Sequence, residues 1–166
     1  MKYTAAIITI SDKGSRGERT DKSGPLLADL IEGEGFEVVD SSIIPDEKDL
    51  ISAELIKYAD EAGVSLILTT GGTGLSQRDV TPEATKAVIE REVPGIPEAM
   101  RAESMKITPM ACLSRSVCGT RGRTLIINLP GSPKAVEENL RPVLPALRHA
   151  VEILDSQGSA DCGRSQ

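Results

Sequence analysis

The residues from 66 to 83 hold the chemistry-bearing pattern of this chain. An apolar run, Leu66-Ile67-Leu68, ends in Thr69 and Thr70, passes Gly71, Gly72, Thr73 and Gly74, and then reaches the pair Arg78-Asp79 before Thr81-Pro82-Glu83. The order predicts a strand, a loop of phosphate size and a helix start. Glycines at 71, 72 and 74 allow positive φ and place no Cβ in front of a guest, so amide N–H groups can point at an anion. The spacing matches neither the G-x-x-x-x-G-K-[ST] loop nor the G-x-G-x-x-G dinucleotide fingerprint. A plain tight turn joining strand to helix is the competing reading.

Carboxylates are the second ingredient. Asp12 follows the first apolar run, Asp46 the second and Asp79 the third. Taken singly, Asp46 reads as a helix N-cap, Asp12 as a solvated turn residue and Asp79 as a loop carboxylate. Taken together around a phosphate they would repel it unless a divalent cation stood between them, and Mg²⁺ is held by one or two carboxylates plus phosphate oxygens. Asp46 and Asp79 are therefore candidate catalytic and metal-ligating residues. Arg78 and Lys134 are the nearby cations that could steady phosphate charge. His149, the single histidine, lies far along the chain from these loops, which disfavours Ser-His-Asp and Cys-His catalysis.

The elements that would position these groups alternate. Tyr3 to Ile10 predicts a buried strand, residues 11–20 a polar loop, and the segment from Asp21 a helix capped by Ser23 and stopped by Gly33 or Gly35. Phe36 to Ile44 returns to strand, Leu50, Ile51, Leu55 and Ile56 recur at helical spacing, and Val64 to Thr70 is a third strand. Such alternation predicts a doubly wound α/β domain with a mostly parallel sheet between helical layers. A helix is expected over 81–91, a break at Pro94, Gly95 and Pro97, and a second short helix carrying Met100, Arg101 and Ser104. Ala111 to Cys118 and Arg123 to Asn128 read as strands joined by a hairpin turn at 119–122, one of them antiparallel. Next comes Leu129-Pro130-Gly131-Ser132-Pro133-Lys134, a strand-to-helix loop with Ser132 as N-cap and Pro133 at the first helical position. Closing helices run to about Leu154 and are split by Pro142 and Pro145. Residues 155–166 read as a disordered tail outside the domain 1–154. In a parallel sheet the loops that feed crossover helices gather at one edge, so Asp12, Asp46, the 71–79 loop and the 128–134 loop converge.

Composition bounds the partners. With 19 basic against 25 acidic residues, a net charge of −6, the chain lacks the positive field that nucleic acid demands. One Phe, two Tyr and no Trp leave no stacking platform for bases. Three cysteines without metal spacing suit a reducing compartment, and no run reaches the ~20 apolar residues of a membrane span, so a cytoplasmic protein is expected.

In these motifs the chain resembles the MogA/MoaB family of molybdopterin adenylyltransferases over about residues 3–154. The carriers are Ile10-Ser11-Asp12, Ile44-Pro45-Asp46-Glu47, Thr69 to Gly74 with Arg78-Asp79-Val80-Thr81-Pro82, Leu113-Ser114-Arg115, and Asn128 to Pro133. The resemblance implies the MogA-like fold and Mg²⁺- and ATP-dependent adenylylation of molybdopterin, with pyrophosphate released. It also implies a homotrimer, with pairing into hexamers open, that serves molybdenum-cofactor synthesis beside a molybdate-inserting partner enzyme. The family's essential aspartates fall on Asp46 and Asp79. The division expected from it puts phosphate on Gly71, Gly72, Thr73 and Gly74 with Arg78 and Asp12. Nucleotide contacts fall on Pro130, Gly131, Ser132 and Lys134, and the pterin lies near Ser104 and Ser114. Two other readings stay open: a non-catalytic molybdopterin-binding scaffold and a CinA-like nucleotide pyrophosphatase.

Overall fold

The structure, a computed structural model, describes residues 2–156. Three strands form its centre: β1 (Tyr3–Ile10), β3 (Leu66–Thr70) and β6 (Thr124–Leu129). The last two are buried at every residue, as near-continuous apolar runs in a sheet covered on both faces must be. Alternation along β1 divides the core. Ala5 and Ile7 join Leu66, Leu68, Leu125 and Ile127 under the helices α2 (Ser23–Glu32), α5 (Gly95–Met105), α6 (Pro133–Leu140) and α7 (Leu144–Asp155). Ala6, Ile8 and Ile10 join Ile67 and Ile126 under α3 (Lys48–Ile56), the π-helical turn Lys57–Glu61 that extends it, and α4 (Thr81–Lys86). Three layers result, as expected.

The sheet order is β2-β1-β3-β6-β5-β4, with β2 spanning Phe36–Ile44, β5 Cys118–Arg121 and β4 Arg91–Glu92. β2, β1, β3 and β6 run parallel, and β5 runs antiparallel to both of its neighbours. The chain leaves β1 toward β2 on one side and returns to β3 on the other, so the winding reverses between β1 and β3. The loops after those two strands part at that point and open a crevice at the carboxyl edge, the usual ligand position in such sheets.

Several local expectations change. The helix over 81–91 stops at Lys86, and Arg91–Glu92 pairs with β5 instead. The hairpin turn lies at Gly122-Arg123, not 119–122, because Gly119 sits inside β5, where a Cβ would come within 2.5 Å of Ile89 and 2.7 Å of the Arg91 carbonyl. The strand expected from Ala111 is a 3-10 turn, Pro109–Leu113, capped by Thr108. Pro97 does not break the chain but lies in the first turn of α5, where a missing N–H costs no helical bond. α2 is capped not by Ser23 but by Asp21, whose Oδ1 accepts from the amides of Ser23 and Gly24. Pro142 and Pro145 do separate α6 from α7. Asp155, expected in the tail, closes α7 and pairs with Arg123, while residues 157–166 lie outside the described residues. Among the described residues no helix is long and apolar enough to cross a membrane.

Candidate active site

The loops after β1, β2 and β3 meet through backbone and carboxylate together. Ser11, whose amide donates to the Ile44 carbonyl at 2.9 Å, caps the one-turn helix α1 (Asp12–Ser15) by accepting from Gly14 N at 3.0 Å. The Asp12 amide donates to Asp46 Oδ2 at 2.9 Å, and the Asp46 amide returns the bond to Asp12 Oδ1 at 3.1 Å. This reciprocal pair ties two loops 34 residues apart in the chain. Asp46 is thereby not a helix cap: the N-cap position of α3 belongs to Glu47, which makes no capping bond through its side chain.

The glycine loop presses against the same corner. Gly71 has φ 104° and Gly72 φ 68°, a region open to glycine at little cost. A Cβ at Gly71 would fall 2.2 Å from the Ile10 carbonyl. At Gly72 it would meet Thr81 Oγ1 at 2.2 Å and Asp46 Oδ1 at 3.2 Å. The wall at Gly72 is thus Thr81 and Asp46, and Thr81 Oγ1 donates to the Gly71 carbonyl at 2.9 Å. Further along, Asp79 Oδ2 accepts from the Ser76 amide at 3.0 Å and lies 2.8 Å from the place a Cβ would take at Gly74.

Electrostatics separate the three carboxylates. Partial burial pushes the Asp46 carboxyl above its ordinary range, the charges of Asp12 and Asp79 add to the push, and the Asp12 amide and Arg78 oppose it. Asp12 moves the other way, held low chiefly by hydrogen bonds from Arg78, which donates to both Asp12 oxygens at 3.0 and 2.8 Å. The same guanidinium reaches Glu47 at 2.9 Å, so Arg78 spans α1 and the start of α3 across the site. Asp46 Oδ1 makes no hydrogen bond among the described residues, and no group of three or more His, Cys, Asp or Glu side chains there is arranged to hold a metal. A cation at Asp46 and Asp79 would complete its shell from phosphate oxygens or water.

Beside this corner a cleft of about 540 Å³ opens between the loop after β1 and the loop after β6, lined among others by Thr9, Ser11, Arg19, Asp21, Gly131 and Ser132. Its far wall is tied down: Ser23 Oγ donates to the Gly131 carbonyl at 2.7 Å, Thr70 Oγ1 to the Pro130 carbonyl at 2.7 Å, and Thr9 Oγ1 to Asp21 Oδ2 at 2.6 Å. Gly131 comes within 3.5 Å of Gly71 by its missing Cβ, so the two loops share one rim. Ser132 caps α6 by accepting from the Ala135 amide. The sequence alone gives Arg19 and Thr20 as polar loop and the segment from Asp21 as a helix start. Their signal was the length of the connection between β1 and α2, since long ordered loops in compact domains are usually functional.

Other candidates stand apart from the cleft. Lys134 projects from the first turn of α6 with its side chain 81% exposed and its Nζ 3.8 Å from Glu138. Ser104 is buried in α5 with no partner for its hydroxyl among the described residues, and Ser114 Oγ lies 3.0 Å from Ser116 Oγ. Neither serine lines the cleft. Asn128 is fully buried and structural: Nδ2 donates to Thr69 Oγ1 and Thr85 Oγ1, and Oδ1 accepts from the Val117 amide.

Comparison with known proteins identifies the family and the fold. The family described as "Probable molybdopterin binding domain" matches residues 6–149. A molybdopterin adenylyltransferase of Helicobacter pylori is 42% identical over 150 residues, covering 89% of this chain and 85% of that protein. The molybdenum cofactor synthesis protein cinnamon of Drosophila melanogaster is 48% identical over 153 residues, but the chain spans only 25% of its length. Among solved structures, the molybdopterin biosynthesis enzyme MoaB of Thermus thermophilus superposes with a TM-score of 0.87 at 51% identity, covering 92% of this chain and 96% of that one. With a six-stranded doubly wound sheet, the glycine loop at its switch point and these relatives, the chain belongs to the molybdopterin-binding domain family of molybdenum-cofactor synthesis, with the MogA/MoaB fold.

Proposed function

We propose that the chain transfers AMP from ATP to the terminal phosphate of molybdopterin and releases pyrophosphate. The observation that carries the reading is the meeting of Asp46 with Gly72, within reach of the charge of Asp79, beside a cleft large enough for a nucleotide whose wall at Gly131 lies against Gly71. The activity in the name of the Helicobacter relative supports it.

In the transfer an oxygen of the pterin phosphate forms a bond to the α-phosphorus of ATP. The bond from that phosphorus to the bridging oxygen breaks, and pyrophosphate leaves with the electron pair. No activated side-chain nucleophile is needed. Two anions must be brought together, so the work is positioning and charge neutralisation. The amides of Gly72, Thr73 and Gly74 receive one phosphate, with Arg78 and Asp12 at its side; the Gly71 amide is taken by the Leu129 carbonyl at 3.0 Å. Pro130, Gly131 and Ser132 receive the nucleotide, with Lys134 beyond them in the first turn of α6, and the pterin lies outside the cleft, toward Ser114; Ser104, 3% exposed in α5, does not reach it. Mg²⁺, held by Asp46 and Asp79, would neutralise phosphate charge. The donor set suits it: both ligands are oxygen anions, and Asp46 is a carboxyl that burial and like charge have left short of cationic company. We place the chain in the cytoplasm, as a homotrimer beside a molybdate-inserting enzyme. Incubation with molybdopterin, ATP and Mg²⁺, read by mass, gives adenylylated pterin. Hydrolysis of ATP without pterin adduct would refute the transfer.

A further inference from the structure

The half of the glycine loop that carries Asp79 is exposed over residues 75–78, Leu75 to 67%. Ser76 and Asp79 exchange two bonds, the Arg78 amide donates to Ser76 Oγ at 3.3 Å, and the Arg78 side chain reaches out to Asp12 and Glu47, but none of these fixes the backbone at Gly74 or at the Asp79 carbonyl. Yet Asp79 must stay at a fixed distance from Asp46 for the two to act on one phosphate.

Arg115 fixes that backbone. Its amide donates to the Thr73 carbonyl at 2.9 Å, Nε to the Gly74 carbonyl at 2.8 Å, and Nη2 to the Asp79 carbonyl at 2.6 Å, while Nη1 pairs with Glu83 of α4. One planar fork therefore grips the loop at its beginning, at its end and at the helix that follows. The fork is itself braced, because Arg101 of α5 donates to the carbonyls of Ser114 and Ser116 at 3.3 and 3.2 Å on either side of it. Arg115 does not line the cleft. We propose that Arg115 is a positioning residue of the adenylyl transfer, setting Asp79 against Asp46 through the loop carbonyls without touching substrate. The inference rests on the adenylyl-transfer reading above.

Lysine cannot replace the fork, since an ammonium is a compact point charge that cannot span three acceptors in one plane. Both Arg115→Ala and Arg115→Lys are expected to lower kcat by about 10²-fold, the scale of a catalytic group displaced by an ångström, with KM for ATP close to that of the unaltered protein. The readout that a merely structural role would not move is the coupling to Asp79. In an Asp79→Asn background the Arg115 substitutions cost little further rate, and amide exchange at Ser76 and Asp79 accelerates while that of β3 stays as it was. An unchanged kcat for Arg115→Lys, or a full additional loss in the Asp79→Asn background, overturns the proposal. Should Arg115→Ala fail to fold, Arg115→Lys carries the same comparison. Failure of the transfer reading is distinct: the unaltered protein would then form no adenylylated pterin before Arg115 is altered at all.

Discussion

Replacing Gly72 by alanine tests the corner where loop, helix and carboxylate meet. Two costs add. An L-residue held at φ 68° loses about 1–2 kcal/mol against its preferred backbone regions. The new methyl would also lie 2.2 Å from Thr81 Oγ1, a hydroxyl whose residue is 0% exposed and which satisfies the Gly71 carbonyl. Driving that hydroxyl away leaves buried polar groups unpaired, at about 1–3 kcal/mol. The sum is about 2–5 kcal/mol. At ~2–4 °C per kcal/mol for a chain of this size, melting should fall by roughly 4–20 °C. The assay is thermal unfolding of Gly72→Ala in two backgrounds, unaltered and Thr81→Ala. With the hydroxyl gone the 2.2 Å clash is removed and only the milder contacts with Asp46 Oδ1 at 3.2 Å and the Cβ of residue 81 at 3.3 Å stay beside the backbone cost, so the loss should shrink toward about 1–2 kcal/mol. The same loss in both backgrounds would refute the contact as its source, and a loss below about 1 kcal/mol in the unaltered background would refute the backbone cost as well. Turnover should fall further than stability explains, because the methyl also lies 3.2 Å from Asp46 Oδ1.

Asp46→Asn should raise the melting temperature at neutral pH while reducing adenylyl transfer by orders of magnitude, measured at saturating ATP and Mg²⁺. The sign follows from the raised carboxyl. Its penalty is absent below the unfolded value of about 3.9 and complete above the folded value, so the gain of the variant grows as pH rises through that window. Arg78→Ala should act oppositely in acid: Asp12, held low by Arg78, stabilises above about pH 3.9, and the difference between the two proteins closes as pH falls through the lowered value. Melting against pH reads both. Deleting residues 157–166 should leave melting and turnover unchanged, since that segment has no large apolar side chain to bury; a drop of several degrees would contradict it.

Much of the site was legible because its residue types are restricted by local chemistry. Glycines at 71 and 72 stand where φ is positive and neighbours crowd the Cβ position, and the run Leu129 to Pro133 carries a cap and a helix-starting proline that work alone. The bland reading of Asp46 as a cap failed for a reason no local rule contains. The donor that takes its carboxylate, the Asp12 amide, is brought there by the crossing of two loops and not by sequence spacing. Arg78 was read as a cation for phosphate, and in the structure its guanidinium lies between Asp12 and Glu47, with Asp12 66 residues away in the chain.

The amino-acid sequence by itself determined the layers and the edge where chemistry gathers, because apolar runs of strand length alternating with helical periods admit few sheets, and parallel strands deliver their loops to one side. The weak elements escaped it. Two residues at 91–92 became a strand only because β5 offered an open edge, and part of the strand expected from Ala111 went into the 3-10 turn Pro109–Leu113. Only the tertiary structure decided which polar group meets which: Asp12 with Asp46, Arg115 with the carbonyls of the glycine loop, Ser23 with Gly131. Burial follows from each residue's own side chain and its period along the chain, whereas a hydrogen bond between loops depends on the relative placement of two backbones, set by every packing contact between them.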